Sequence, residues 1–283
     1  MSHPLSMRLL RVGACRHLEC IAARGGRYAM VEFPSLCGLI RHPRHGWILY
    51  DTGYADHFIK ATETWPEKLY RSSLPVNLPA SEVLTTQLAQ AGITAADIAY
   101  VVISHYHGDH VAGLRDFPNA RFIALRADTE QLLALRGRRW RATLQGQLPS
   151  MLPDDFLARL QEADASPRRE LPAWMAPFRD GLDLLGDGSL IGVALPGHSN
   201  GHLGLLLPDV DGRPVFLVAD ACWSMPACRE GRLPSRLALL VTAQRRRFGE
   251  TFFSLRELAL REPSLSLLPS HCSVSWKEFF LAA

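Results

Sequence analysis

The string Ser104-His105-Tyr106-His107-Gly108-Asp109-His110 constrains this 283-residue chain more than any other feature. It places four ligand-type side chains within six positions. It also follows directly on Ile98 to Ile103, a continuous apolar run of the kind expected for a strand buried on both faces. Alternate residues of an extended loop point the same way, so His105 and His107 can converge on one ion. Asp109 and His110 lie farther along the turn and can face a second. Imidazole and carboxylate are common nitrogen and oxygen ligands for zinc and similar divalent metals. Burying three imidazoles and a carboxylate together is costly without a compensating charge, and a cation supplies one.

Three more residues extend the pattern. His198 stands in Leu195-Pro196-Gly197-His198, just past an apolar run. Asp220 ends the run Val215 to Ala219, and His271 follows Leu265 to Leu268 in Pro269-Ser270-His271. A single histidine at a strand end is more often structural than a ligand. All three, however, fall at the C-terminal ends of expected strands, where α/β sheets place their sites.

The rest of the chain gives these residues a frame. Strands are expected at Tyr28 to Phe33, Cys37 to Arg41, Trp47 to Tyr50, Leu190 to Leu195, Leu203 to Leu207, Val215 to Ala219 and Leu265 to Leu268. Ser81 opens a helix through Ala91 that Gly92 stops, and further helices are expected over Gly249 to Leu260 and Val274 to Leu281. Between Ala127 and Leu160 apolar residues recur at helical spacing, broken by Pro149 and Pro153. The order is strands and helices, a helical insertion, then strands and helices again. The reading is one domain over 1–283 with an inserted helical cap around 126–180.

Composition narrows the function classes. The net charge of +3 lacks the basic excess of a nucleic-acid binder. The basic runs Arg136-Gly137-Arg138-Arg139-Trp140-Arg141 and Arg245-Arg246-Arg247 read as solvated helix faces. No run of eighteen apolar residues occurs, so no spanning helix is expected. Met1 to Gly13 lacks the pattern of a signal peptide. The six cysteines follow no metal-ribbon spacing and read as free thiols in a reducing cytoplasm.

With His105 to His110 followed in order by His198, Asp220 and His271, the chain resembles the metallo-β-lactamase-fold hydrolases over nearly its whole length. Asp51-Thr52-Gly53 after an early strand, and Pro196-Gly197-His198 through His202 before another, are similar to further marks of that family. The resemblance implies an αββα sandwich with the site at one edge between two sheets. It implies that His105, His107 and His198 hold one divalent metal ion, that Asp109, His110 and His271 hold the other, and that Asp220 bridges them. Zinc is the expected metal, with manganese or iron as alternatives. Two such ions can share a water and lower its pKa toward neutrality, giving a hydroxide nucleophile. Asp109 and Asp220 would be the catalytic carboxylates, Asp109 also relaying a proton. Asp51 is a candidate acceptor for a ligand histidine, and His202 reads as a supporting residue.

The expected activity is hydrolysis of a carboxylic ester, lactone or thioester. The motif order looks most similar to the N-acyl homoserine lactonases. Those enzymes place a tyrosine shortly after the bridging aspartate, and the corresponding position here is Trp223, which can donate a hydrogen bond but is no proton acid near neutral pH. A glyoxalase II-like thioesterase, a phosphodiesterase or nuclease, and a non-hydrolytic metal-binding accessory protein are the alternatives. Trp65, Tyr70, Met151, Phe156, Trp174, Met175 and Phe178 are apolar residues of irregular or inserted segments. Some are expected to line a pocket for a small-molecule substrate with an apolar acyl or aromatic part. Oligomeric state leaves no mark in the sequence.

Overall fold

In the computed structural model, which describes residues 5–282, the apolar runs assemble into two sheets. The first contains β1 (Ser6–Leu18), β2 (Met30–His42), β3 (Gly46–Tyr50), β4 (Val76–Asn77), β5 (Ile98–Val102), β6 (Arg121–Ala124) and β7 (Leu160–Glu162). Its order is β4-β1-β2-β3-β5-β6-β7, and it is antiparallel from β4 to β3 and parallel from β3 to β7. The second contains β8 (Arg168–Glu170), β9 (Asp180–Asp183), β10 (Ile191–Ala194), β11 (Leu203–Val210), β12 (Arg213–Ala219) and β13 (Ser266–Pro269), running β13-β12-β11-β10-β9-β8.

Period-two alternation sorts side chains between two sides of each sheet. Ile48, Tyr50 and Val102 meet Leu203, Leu205 and Leu217 in the core between the sheets. Leu49, Val101 and Ile103 point the other way, into a core that Phe58, Tyr70, Leu84 and Leu88 close from the short helices outside. On the far side of the second sheet, Leu206, Phe216 and Val218 pack against Phe248, Phe252 and Leu255 of the long helix Arg245–Arg261. These layers make an αββα sandwich. Because both faces of the central strands are apolar, they read in sequence as unbroken runs.

Several expectations need correction. β1, the strand that pairs with both β2 and β4, was not among the expected strands. The expected runs Tyr28 to Phe33 and Cys37 to Arg41 are one strand, β2, which passes through Pro34-Ser35 opposite an irregularity between Arg11 and Ala14 of β1. The helix read from Ser81 begins at Leu84, after a 3-10 turn at Ala80–Glu82, and Gly92 follows it at φ +72°.

The segment 126–180 contains the helices Arg126–Ala134, Arg139–Leu144 and Phe156–Arg159. It also contains β7, which extends the first sheet, and β8, which edges the second. Phe156 stacks on Phe122 with ring centroids 5.1 Å apart, and Met151 joins the same outer core. Both are packing residues here and do not line an open pocket. No helix among the described residues is long and apolar enough to cross a membrane, and none of the six cysteines is in a disulfide.

Candidate metal centre

Strand direction brings the ligand-type residues together. β3 and β5 run parallel, so Asp51 and the loop His105 to His110 leave the first sheet at one edge. β12 and β13 run parallel, and β10 is antiparallel to β11, which is antiparallel to β12. His198, Asp220 and His271 therefore leave the second sheet at one edge as well. The backbone N–H of Leu203 donates to Ser104 O at 2.9 Å, and the Tyr50 hydroxyl donates to Leu203 O at 2.8 Å, joining the two edges.

Two groups of donor atoms result. Ligand atoms of His105, His107, His198 and Asp220 lie within 4.8 Å of one another, as do those of Asp109, His110 and His271. Asp220 touches both groups. Its Oδ2 lies 3.3 Å from His198 Nε2, while its Oδ1 lies 3.3 Å from His110 Nε2 and 3.1 Å from His271 Nε2. All seven residues named from the sequence meet at this one place.

The outer nitrogens of His110 and His271 are engaged, which turns the other nitrogen of each toward the centre. His110 Nδ1 donates to Asp51 Oδ2 at 2.7 Å, and His271 Nδ1 donates to Pro34 O at 2.7 Å, so each presents Nε2 inward. Asp51 is itself held by the Ser104 N–H at 2.8 Å and the Ser104 hydroxyl at 2.7 Å. It sits at φ +60°, a left-handed position that aspartate tolerates better than most side chains. The Gln145 carbonyl accepts a hydrogen bond from His107. His202 Nε2 accepts from the backbone N–H of Asp220 at 3.2 Å, supporting that residue from behind.

Burial and charge set the protonation states. Burial pushes the His105 and His198 rings well below the usual imidazole range and pushes His202 down to about 3. Burial also opposes charge on His110 and His271. There the neighbouring carboxylates prevail, Asp109 and Asp220 at His110 and chiefly Asp220 at His271, and they raise His271 to about 9. Burial works against ionised Asp220, but His271, His110 and His198 overcome it and hold the carboxyl well below its ordinary value.

Whether this set suits cations is tested by its unpartnered atoms. Nε2 of His105, Nε2 of His110 and Oδ1 of Asp220 are buried without a hydrogen-bond partner. An orphaned buried polar atom costs roughly 1–3 kcal/mol, more when charged. Imidazole nitrogens converging on carboxylates are what divalent cations take up, with a cation taking the place of the proton that the carboxylates favour on His110 and His271, so the residues fit. A third cluster among the described residues, His42, His45 and Asp187, does not. His42 Nδ1 accepts the backbone N–H groups of Arg44 and His45 at 3.0 Å each, so Nε2 of the neutral ring carries the proton. Arg44 already pairs with Asp187, and the cluster closes the opposite end of β3 as a polar clamp.

The loop that carries His198 is fixed from two sides. Asp128, 1% exposed at the start of the helix Arg126–Ala134, accepts from Ser199 Oγ at 2.7 Å and from Gly201 N at 2.8 Å. On the other side, Gln244 N donates to Gly197 O and Ala243 N to His198 O, each at 3.0 Å. Trp223 packs its ring edge-on against His198, with centroids 6.1 Å apart, and its indole N–H is buried without a partner. Sequence reasoning missed Asp128, because an acidic residue in a first helical turn looks like ordinary dipole compensation. Arg139, one of the basic residues read as a solvated helix face, is exposed on its helix and also pairs in bidentate fashion with Glu67 at 2.8 and 2.6 Å.

The profile of the Metallo-beta-lactamase superfamily matches residues 30–221. The chain is 29% identical over 259 residues to the N-acyl homoserine lactonase AttM of Azorhizobium caulinodans, covering 90% of this chain and 88% of that protein. It is 32% identical over 195 residues to the N-acyl homoserine lactonase AiiB of Agrobacterium fabrum, covering 66% of this chain and 64% of that one. Among solved structures, an N-acyl homoserine lactone hydrolase with N-hexanoyl-L-homoserine at its catalytic metal centre superposes with a TM-score of 0.70 at 17% identity. That superposition covers 98% of this chain and 97% of the other. AidC, a dizinc quorum-quenching lactonase, superposes with a TM-score of 0.64 at 17% identity, over 96% and 89%.

Proposed function

The chain belongs to the metallo-beta-lactamase superfamily, and from that premise we propose that this metal-dependent hydrolase opens the ring of a lactone bearing an apolar acyl chain. The observation that carries the reading is Asp220, whose two carboxylate oxygens face both groups of imidazoles at 3.1 to 3.3 Å. His105, His107 and His198 would hold one divalent cation, Asp109, His110 and His271 the other, with Asp220 shared. Zinc suits a site made wholly of imidazole nitrogens and carboxylate oxygens. When bound, the cations supply Lewis acidity at the carbonyl and lower the pKa of a water.

The chain's own residues do the rest. Ring opening joins a water oxygen to the carbonyl carbon and breaks the ring C–O bond, and a proton must pass from the water to the departing ring oxygen. Asp109 is the carboxylate placed to carry that proton. Charge grows on the carbonyl oxygen meanwhile, and the unpartnered indole N–H of Trp223 beside His198 is the donor available to meet it. The lactonase relatives AttM and AiiB favour a lactone over the thioester and phosphodiester readings.

The test pairs elemental analysis with a turnover panel of short- and long-chain acyl homoserine lactones, a thioester, a β-lactam and a phosphodiester. The expected result is two ions per chain and lactone turnover well above the rest. Less than about half an ion per chain after incubation with zinc, manganese or iron would remove the basis of the reading. Turnover of the thioester or phosphodiester with inert lactones would reassign the substrate.

A further inference from the structure

Four buried phenols lie in or beside the string His105 to His110, and a buried phenol needs a partner for its O–H; Tyr50 has Leu203 O. The Tyr106 hydroxyl pairs with Thr129 Oγ1 at 2.7 Å, and Tyr54 pairs with Cys15. Tyr70 differs. Its hydroxyl donates to Asp109 Oδ1 across 3.5 Å, and it also interacts with the backbone N–H of Gly108. A phenol keeps its proton at neutral pH, so Tyr70 can donate to the carboxylate.

The structure goes to some length to bring Tyr70 there. Its ring sits edge-on to Phe58, with centroids 5.3 Å apart at 89°. Gly108 makes the approach possible. A Cβ at that position would stand 2.7 Å from Phe58 Cε2 and 3.3 Å from Tyr70 Cε1, so any larger residue would drive both rings back. The short helix Lys68–Ser73 that carries Tyr70 is anchored by Arg139, which grips Glu67 with two hydrogen bonds and Trp65 O with a third at 2.8 Å.

We propose that Tyr70 is a positioning residue for Asp109, holding its Oδ1 so that Oδ2 faces His271 Nε2 at 3.4 Å and His110 Nε2 at 3.8 Å. The proposal rests on the reading of Asp109, His110 and His271 as one cation site. It gives the segment between β3 and β4 a part in holding that cation, although the segment contributes no ligand of its own. A carboxylate left free to rotate would share its oxygens between the cation and solvent. Supporting hydrogen bonds of this kind typically change metal affinity about 10- to 100-fold.

The experiment loads the full-length wild type, Tyr70→Phe and Tyr54→Phe with zinc and follows release to a chromogenic chelator, alongside kcat and KM on the same lactone. Tyr54→Phe removes a phenol from the same aromatic cluster without touching Asp109, so it controls for packing. In Tyr70→Phe, one ion is expected to leave at least tenfold faster while the other keeps its wild-type rate, with kcat falling more than KM changes. Tyr54→Phe should release both ions as the wild type does. Wild-type release of both ions from Tyr70→Phe, or equal acceleration in the two variants, overturns the proposal. A wild type that takes up no second ion refutes the two-cation reading itself, and Tyr70 falls with it.

Discussion

Gly197 immediately precedes His198 and adopts φ +131°, a conformation that side chains of L residues rarely reach. Adding one methyl group there tests how tightly the ligand loop is held. A Cβ at 197 would lie 2.1 Å from Phe248 N and 2.4 Å from Phe248 Cα. Both are backbone atoms of the helix Arg245–Arg261 and cannot rotate aside. Ordinary contact begins at 3.4 Å, so helix and loop must separate by 3.4 − 2.1 = 1.3 Å. Such a retreat stretches the bonds from Gln244 N to Gly197 O, from Ala243 N to His198 O and from Thr251 Oγ1 to Pro196 O. Backbone strain of about 1–3 kcal/mol adds to overpacking of about 1–3 kcal/mol or more. Gly197→Ala is therefore expected to destabilise the fold by roughly 3–5 kcal/mol and to shift His198. Gly212 is the internal control, because it also has positive φ (+85°) but nothing within 4 Å of its would-be Cβ. Gly212→Ala should cost only the strain, about 1–2 kcal/mol. Urea unfolding of both variants gives the difference from their midpoints and slopes, and elemental analysis shows whether Gly197→Ala alone loses an ion. Equal destabilisation of the two, within about 0.5 kcal/mol, would show that the loop has room and that the clash argument is wrong.

Substitutions at two further residues probe the surroundings of the site. Asp128→Ala strands the Ser199 hydroxyl and the Gly201 N–H, each buried donor costing roughly 1–3 kcal/mol, and urea unfolding should register the loss. Burial raises the Asp128 carboxyl from 3.8 to about 6. The folded state thus binds this proton more tightly than the unfolded state does, so its stabilising contribution is full below 3.8 and is lost as pH rises to about 6. Asp128→Asn should remove that part of the slope in a stability–pH series, and an unchanged slope would show that Asp128 does not titrate there. Trp223→Phe keeps the aromatic packing on His198 and deletes the unpartnered N–H. It is expected to lower lactone kcat by about 10²- to 10³-fold, the usual effect of losing one oxyanion donor, with metal content unchanged. Unaltered kcat would place the indole away from the reacting carbonyl.

Short-range chemistry is legible in the linear chain. His105, His107, Asp109 and His110 fall on one loop after a buried strand, and four ligand-type residues that dense have few uses apart from a cation. His198, Asp220 and His271 were legible because each ends an apolar run, and the family resemblance supplied their grouping. Asp51 was legible as a partner for a ligand histidine, though not which one, and the structure joins it to His110 at 2.7 Å. The tertiary structure decided what depends on chain segments distant in sequence. β1 escaped the reading because its alternation holds only over Met7-Arg8-Leu9 before a run of buried residues at Val12 to Cys15, and the strand is defined by its pairing with β2 and β4. Phe156 and Met151 looked like pocket residues because an apolar side chain at helical spacing does not say which surface it meets. Packing against Phe122 assigned Phe156 to the core. Tyr70 and Asp128 carry no local signature at all. A phenol in an irregular segment and an acid in a first helical turn have ordinary uses nearly everywhere. They acquired specific ones only because folding carried the first to Asp109, 39 positions away, and the second to Ser199 and Gly201, 71 and 73 positions away.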